Sequence, residues 1–289
     1  RKTGIDLIAV EKNGQVLLRN EQEEEDGGIK TDRTLLTVEN IVNFADEVNL
    51  DDVRKLLELQ ISCNMAIAEE GLRNDYGACI GKVLWRNGKV IYKNGNCSLA
   101  DKARAFAAAG SDARMNGCEL PVCIISGSGN QGMTASIPVV IYAKELGKSE
   151  EEMLRALVLS DLITTHLKTG IGCLSAYCGA ISAGCGAGAG IAYLQGGGFK
   201  EVAHTIVNSL AILSGTICDG AKSSCAAKIA SAVDAGIFGY EMSLSGQQFC
   251  DGDGLVSSGV EKTLVNIGRL GSIGMKETDK KILDIMLEE

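Results

Sequence analysis

The sequence predicts an α+β fold that is mostly helical, with a small α+β portion over residues 1–97 and a helical portion over 98–289. Three observations carry this expectation. Only 2 of the 289 residues are proline, which favours long uninterrupted helices. From Ser98 onward, Ala- and Gly-rich stretches with helical spacing follow one another with short polar breaks. Before Ser98, two segments carry apolar runs on either side of an Asn-Gly pair, the pattern of a hairpin.

The first of these hairpins is expected over residues 4–18, where Ile5 to Val10 lead through Lys12, Asn13 and Gly14 into Gln15 to Leu18. The acidic run Glu21 to Asp26, followed by Gly27 and Gly28, reads as a solvated loop. A helix is expected from Thr37 through Ile41, Val42 and Phe44. A second begins near Asn49 to Asp52 and runs to Gly71, with Val53, Leu56, Leu57, Ile61 and Met65 on its apolar side. Lys82 to Asn96, with Asn87-Gly88 between Val83-Leu84-Trp85 and Val90-Ile91-Tyr92, reads as the second hairpin. In the helical portion, Ala100 to Asn116 is a helix. Val122 to Ile125 is a short strand-like run into the Gly-rich turn Ser126 to Gly132, and Thr134 to Leu146 is the next helix. Residues 149–165, 173–195, 199–214, 222–243, 254–269 and 277–288 also read as helices.

Composition excludes several functions. Apolar residues make up 45% and charged residues 22%, so the chain can bury a core. The net charge of −9 argues against a nucleic-acid binder, which needs a basic face, and 4% aromatic residues leave few stacking platforms. Thr169 to Phe199 carries no charge over 31 residues, yet ten of them are Gly and only five are Ile or Leu. A buried helix pair is the expected outcome rather than a membrane span. The 11 cysteines are an odd number in a chain without a signal peptide, which points to a reducing cytoplasm and mostly free thiols.

Three groups of residues can carry chemistry. Cys173, Cys178, Cys185, Cys218 and Cys225 include two pairs spaced seven apart, so thiols from two neighbouring segments can converge on a metal; soft thiolates suit zinc or iron–sulfur clusters. No C-x-x-C pair exists, and small cysteines also let helices pack closely, so both readings stay open at this point. Ser128, Gly129, Asn130, Gln131 and Gly132 stand before a helix, where backbone N–H groups can hold a substrate carboxylate; a plain tight loop is the alternative. His166 and Lys168 lie just before the Gly- and Cys-rich segment and are candidates for acid–base work and anion binding; a helix C-terminus bearing two cations would look the same.

The run Ser126 to Gly132, the stretch Gly172 to Gly190, and Cys218 to Cys225, together with Ser243 to Gln248 and Asp251 to Gly254, resemble the L-cysteine desulfidase family. That family is serine dehydratase-like and related to the α region of iron–sulfur L-serine dehydratases. The resemblance implies a [4Fe–4S] cluster held by Cys178, Cys218 and Cys225, with Cys173 and Cys185 as neighbours. It implies β-elimination from L-cysteine to sulfide, ammonia and pyruvate, or the corresponding ammonia-lyase reaction on L-serine. The expected partners are the small amino-acid substrate and a second copy of the chain, with no nucleic acid and no membrane. One departure stands out: the family carries an N-terminal region with a catalytic cysteine beside a Thr-Glu-Pro stretch, and nothing here matches it. The resemblance therefore implies that these residues alone turn over little L-cysteine. A helical ligand-binding or scaffold domain, or a zinc hydrolase, would use the same residues differently.

Overall fold

A computed structural model of the chain describes residues 9–13, 15–19, 32–91, 97–172 and 175–288. The chain divides into two compact units, Arg1–Asp32 and Arg33–Glu289. The first holds an antiparallel hairpin, β1 (Ala9–Lys12) and β2 (Gln15–Arg19), with Lys12 opposite Gln15 and Ala9 opposite Arg19. The remainder of that expected hairpin, residues 4–8, and the acidic loop at 21–28 lie outside the described residues.

The second unit is mostly helical. In chain order its helices are α1 (Val38–Glu47), α2 (Leu50–Arg73), α3 (Ile80–Ile91), α4 (Leu99–Met115), α5 (Gly129–Glu145) and α6 (Glu150–Ile171). They continue as α7 (Gly179–Leu194), α8 (Phe199–Ile212), α9 (Cys225–Leu244), α10 (Val260–Arg269) and α11 (Lys276–Leu287). A π-helical turn over Leu270–Gly274 joins the last two. The starts follow side-chain chemistry. Thr37, Asn49, Ser98 and Ser149 accept hydrogen bonds from the N–H groups of Asn40, Asp51, Asp101 and Glu152, satisfying donors that have no intrahelical partner.

The core is organised around α7, which packs against α5, α6, α8 and α9. Fourteen of its sixteen residues are buried. Its glycines are what allow this crowding. A Cβ at Gly184 would stand 2.3 Å from the carbonyl oxygen of Ala232, and one at Gly188 would stand 2.4 Å from that of Gly236. Backbone meets backbone between α7 and α9, a distance only glycine permits. This is how the uncharged stretch comes to contain a core helix, α7; among the described residues no helix is long and apolar enough to cross a membrane.

Four expectations are corrected. The segment expected as a second hairpin forms α3, with residues 92–96 outside the described set. Ile80 and Leu84 pack against Ala108, Ala226 and Ala230, Trp85 meets Phe106 edge-on at 5.6 Å, and the buried Asp112 carboxylate accepts the N–H of Gly81 at 2.8 Å. This packing and capping override the Asn87-Gly88 turn signal. α5 begins at Gly129, not Thr134, so most of the Gly-rich run is the first turn of the helix. α7 begins at Gly179, which leaves Cys178 at its N-cap rather than on the helix body. Val122 to Ile125 forms no regular strand; Ile125 and Ser128 only bridge each other.

Candidate active site

The turn ahead of α5 is unusual. Ile125 and Ser128 exchange N–H to C=O bonds at 3.3 and 3.1 Å, and the two residues between them have positive φ: Ser126 at 49° and Gly127 at 90°. Glycine adopts that conformation freely, whereas serine is strained there by on the order of 1 kcal/mol. The strained Ser126 presents its hydroxyl, which is buried and without a partner, toward a cavity of about 330 Å³.

Of the two glycines that flank the polar residues, neither lines that cavity. A Cβ at Gly132 would stand 1.9 Å from the carbonyl oxygen of Cys123, and one at Gly129 would stand 2.6 Å from Nε of Arg114. They let α5 start against the incoming chain, while Ser128, Asn130 and Gln131 face the cavity.

Arg114, near the end of α4, lines the same cavity and donates from its guanidinium to Oδ1 of Asn130 at 3.3 Å. Among the described residues it has no carboxylate partner. Lys168, 5% exposed on α6, reaches the cavity as well. His166 does not. Two residues apart on a helix means about 200° around its axis, so His166 faces the other way. It bonds the Glu261 carboxylate at 2.9 Å in a separate groove with Arg33 and Thr34.

The thiols occupy another wall. Tyr177 and Ile217 form an isolated antiparallel bridge. The N–H of Cys178 donates to Thr216 O at 3.0 Å and the N–H of Cys218 to Ala176 O at 2.7 Å. Cys178 and Cys218 thus stand one step from the bridge on the same face. Cys225 opens α9, its sulfur 3.5 Å from Gly220 O. All three line the cavity. Lys228 ties this loop together by donating to Ile217 O at 2.9 Å and to the Asp219 carboxylate.

The two bridge cysteines behave as one acid. Cys178 donates to Cys218, which pushes the Cys178 thiol up, with burial adding to the effect. The same bond pulls Cys218 down against its burial, helped by the Gly220 N–H and the Lys228 ammonium. One thiolate is therefore favoured even before a metal is considered. Cys178 and Cys225 stand at the N-termini of α7 and α9.

Cys185 does not join them: it is buried in α7 against Ile206 O at 3.8 Å. Cys173 lies outside the described residues. Among the described residues no three His, Cys, Asp or Glu side chains are grouped tightly enough for a single metal ion. A tetrahedral ion with metal–sulfur bonds of about 2.3 Å holds its sulfurs about 3.8 Å apart. Thiolates on separate iron corners of a cluster stand wider than those on one ion, so a cluster demands a less close approach of thiols that line one cavity.

Three residues that line this cavity each carry a buried polar atom without a partner: Ser126 Oγ, Gln131 Oε1 and the Tyr177 hydroxyl. Buried polar atoms are nearly always bonded, so three orphans on one surface indicate a polar ligand. Burial also pushes the Tyr177 phenol up, which keeps its hydroxyl protonated. Arg114, Tyr177 and Lys228 were not singled out by sequence reasoning, and Ser126 only as the first residue of the Gly-rich turn. Arg114 looks like an ordinary basic residue at a helix C-terminus, and only the aromatic ring beside Cys178 offered a signal for Tyr177.

The family model for the serine dehydratase alpha chain matches residues 11–284. The chain belongs to the serine dehydratase alpha-chain family. It is 59% identical over 285 residues to a UPF0597 protein of Desulfitobacterium hafniense, covering 98% of this chain and 64% of that one. A UPF0597 protein of Lachnoclostridium phytofermentans is 50% identical, covering 99% and 67%. One of Treponema denticola is 45% identical, covering 98% and 65%. The chain thus spans about two thirds of the length of these relatives. No solved structure matches it.

Proposed function

We propose that this protein is a [4Fe–4S]-dependent lyase that eliminates the β-substituent of a small L-amino acid, with L-cysteine as substrate and sulfide, ammonia and pyruvate as products. The observation that carries the reading is one cavity lined by three thiols and by cationic and amide side chains. Cys178, Cys218 and Cys225 are the ligands in this proposal. Three ligands on a four-iron cluster leave one iron open as a Lewis acid for the leaving thiolate or hydroxide.

The chain's own residues do the rest. Arg114 and Lys168 supply positive charge for the substrate carboxylate, and Ser128 and Asn130 add hydrogen bonds at the start of α5, whose free N–H groups favour an anion. Gln131 Oε1 accepts from the substrate ammonium. The Tyr177 hydroxyl, protonated and unpartnered, is a donor within the same cavity. We place the enzyme in the cytoplasm, where thiols stay reduced.

The test is an anaerobic assay of the reconstituted protein for sulfide and pyruvate from L-cysteine, with L-serine in parallel. Stoichiometric sulfide and pyruvate from L-cysteine supports the reading. Pyruvate from L-serine alone would move the assignment to an L-serine ammonia-lyase. No product from either, together with no cluster taken up on reconstitution, would remove it.

A further inference from the structure

The π-helical turn Leu270–Gly274 lies against the segment that carries Tyr177 and Cys178. Its wide spacing is set by the Met275 N–H, which donates five residues back to Leu270 O at 3.0 Å. Single π-turns of this kind occur often beside functional sites. Backbone contact brings this one into place. A Cβ at Gly268 would stand 3.1 Å from Cα of Gly170, so α10 meets the end of α6 with no side chain between them. A Cβ at Gly271 would stand 2.9 Å from Cγ2 of Ile171 and 3.3 Å from Cβ of Tyr177, so the missing side chain is what seats the turn on Tyr177.

Ser175 joins the two backbones. Its Oγ donates to Gly271 O at 2.6 Å and accepts the N–H of Tyr177 at 2.9 Å. A hydroxyl has one proton, and here it is committed to the π-helical turn. Ser175, Tyr177 and Cys178 all line the cavity. Ser175 has no proton left to offer a substrate there, whereas the buried Tyr177 hydroxyl has no partner. Ser175 therefore acts through Tyr177. The backbone of Tyr177 is held on one side by the Ser175 bond and on the other by the bridge to Ile217.

We propose that Ser175 is a positioning residue for Tyr177: anchored on the π-helical turn, it fixes the Tyr177 backbone and so the place from which the phenol donates to the substrate. The part played in turnover rests on the lyase reading, whereas the hold on the backbone does not. Threonine at position 175 keeps both bonds, because its hydroxyl has the same donor and acceptor capacity; alanine keeps neither. The loss falls on a buried segment, where an N–H without a partner is costly.

Hydrogen–deuterium exchange of the purified chain, read by peptide mass spectrometry, tests the hold without iron or substrate. In Ser175→Ala the amides of Tyr177 and Cys178 should exchange about 10-fold faster than in the wild type, and in Ser175→Thr at the wild-type rate. Steady-state assay of the reconstituted enzyme tests the route. Ser175→Ala should lower kcat/KM about 10-fold and Ser175→Thr less than about twofold, and Ser175→Ala added to Tyr177→Phe should cost less than about twofold more. Unchanged exchange in Ser175→Ala overturns the proposal. So does an equal loss of kcat/KM with and without the Tyr177 hydroxyl, which would show that Ser175 does not act through it. Wild-type protein that forms no product ends the lyase reading and the catalytic part of the proposal, while the exchange rates still decide whether Ser175 holds Tyr177.

Discussion

The wall that α4 and α5 give to the cavity carries Arg114, Ser128 and Asn130; the wall from the ends of α7 and α9 carries Cys178, Cys218 and Cys225. The first is hard, cationic and rich in N–H donors. The second is soft, anionic in tendency and held by a two-residue bridge and a lysine. Glycine serves both but differently. On the first wall Gly132 lets a helix start against a passing carbonyl; behind the second, Gly184 and Gly188 let α7 and α9 touch. In the proposed reading a zwitterionic amino acid with a soft β-substituent would meet both walls at once, and changes to one wall should leave the other intact.

The largest effect is expected on the thiol wall. In Cys218→Ser, sulfide release from L-cysteine should fall to background, because a proposed ligand is lost, while the backbone bridge of Tyr177 with Ile217 is kept and thermal unfolding stays cooperative. Retention of more than a tenth of wild-type turnover would separate Cys218 from the chemistry. On the cationic wall, Arg114→Ala removes charge-assisted bonds worth about 1.5–3 kcal/mol, so KM should rise about 10- to 100-fold with iron content unchanged. If iron falls instead, the two walls are not independent. Asn130→Ala removes a neutral partner and should raise KM only about 2- to 10-fold by the same steady-state assay.

The smallest effect is expected at His166, outside the cavity. His166→Ala should leave kcat/KM within about twofold and reduce stability by at most about 1 kcal/mol, since the Glu261 pair is partly exposed. Burial raises the Glu261 carboxyl, but hydrogen bonds from His166 and the Val38 N–H outweigh it, so its folded value lies below the ordinary 4.5. A depressed carboxyl contributes stability above its unfolded value and loses it as pH falls through the folded one. Unfolding midpoints measured from about pH 6 down to pH 3 should therefore drop less steeply in His166→Ala than in the wild type. An unchanged slope would show that the pair carries no weight.

Most of the helices were legible because their apolar spacing and caps are local, as at Thr37, Asn49 and Ser149. The segment at α3 was not, because its helix is fixed by Asp112 and Phe106 from another part of the chain. The site was legible where it is compact in sequence: Ser128, Asn130 and Gln131 share one run, and Cys218 and Cys225 share another. Arg114 and Tyr177 were hidden because only the folded chain brings them to that cavity. His166 misled because proximity in sequence to Lys168 is opposition on a helix.

The central claim, that Cys178, Cys218 and Cys225 form one cluster-holding wall, is tested most directly by iron and acid-labile sulfide analysis of protein prepared without oxygen. The account predicts about four of each per chain, falling to none in the triple serine variant with its far-ultraviolet circular dichroism preserved. Wild-type protein that takes up no iron under reconstitution, or a triple variant that keeps it, would contradict the account.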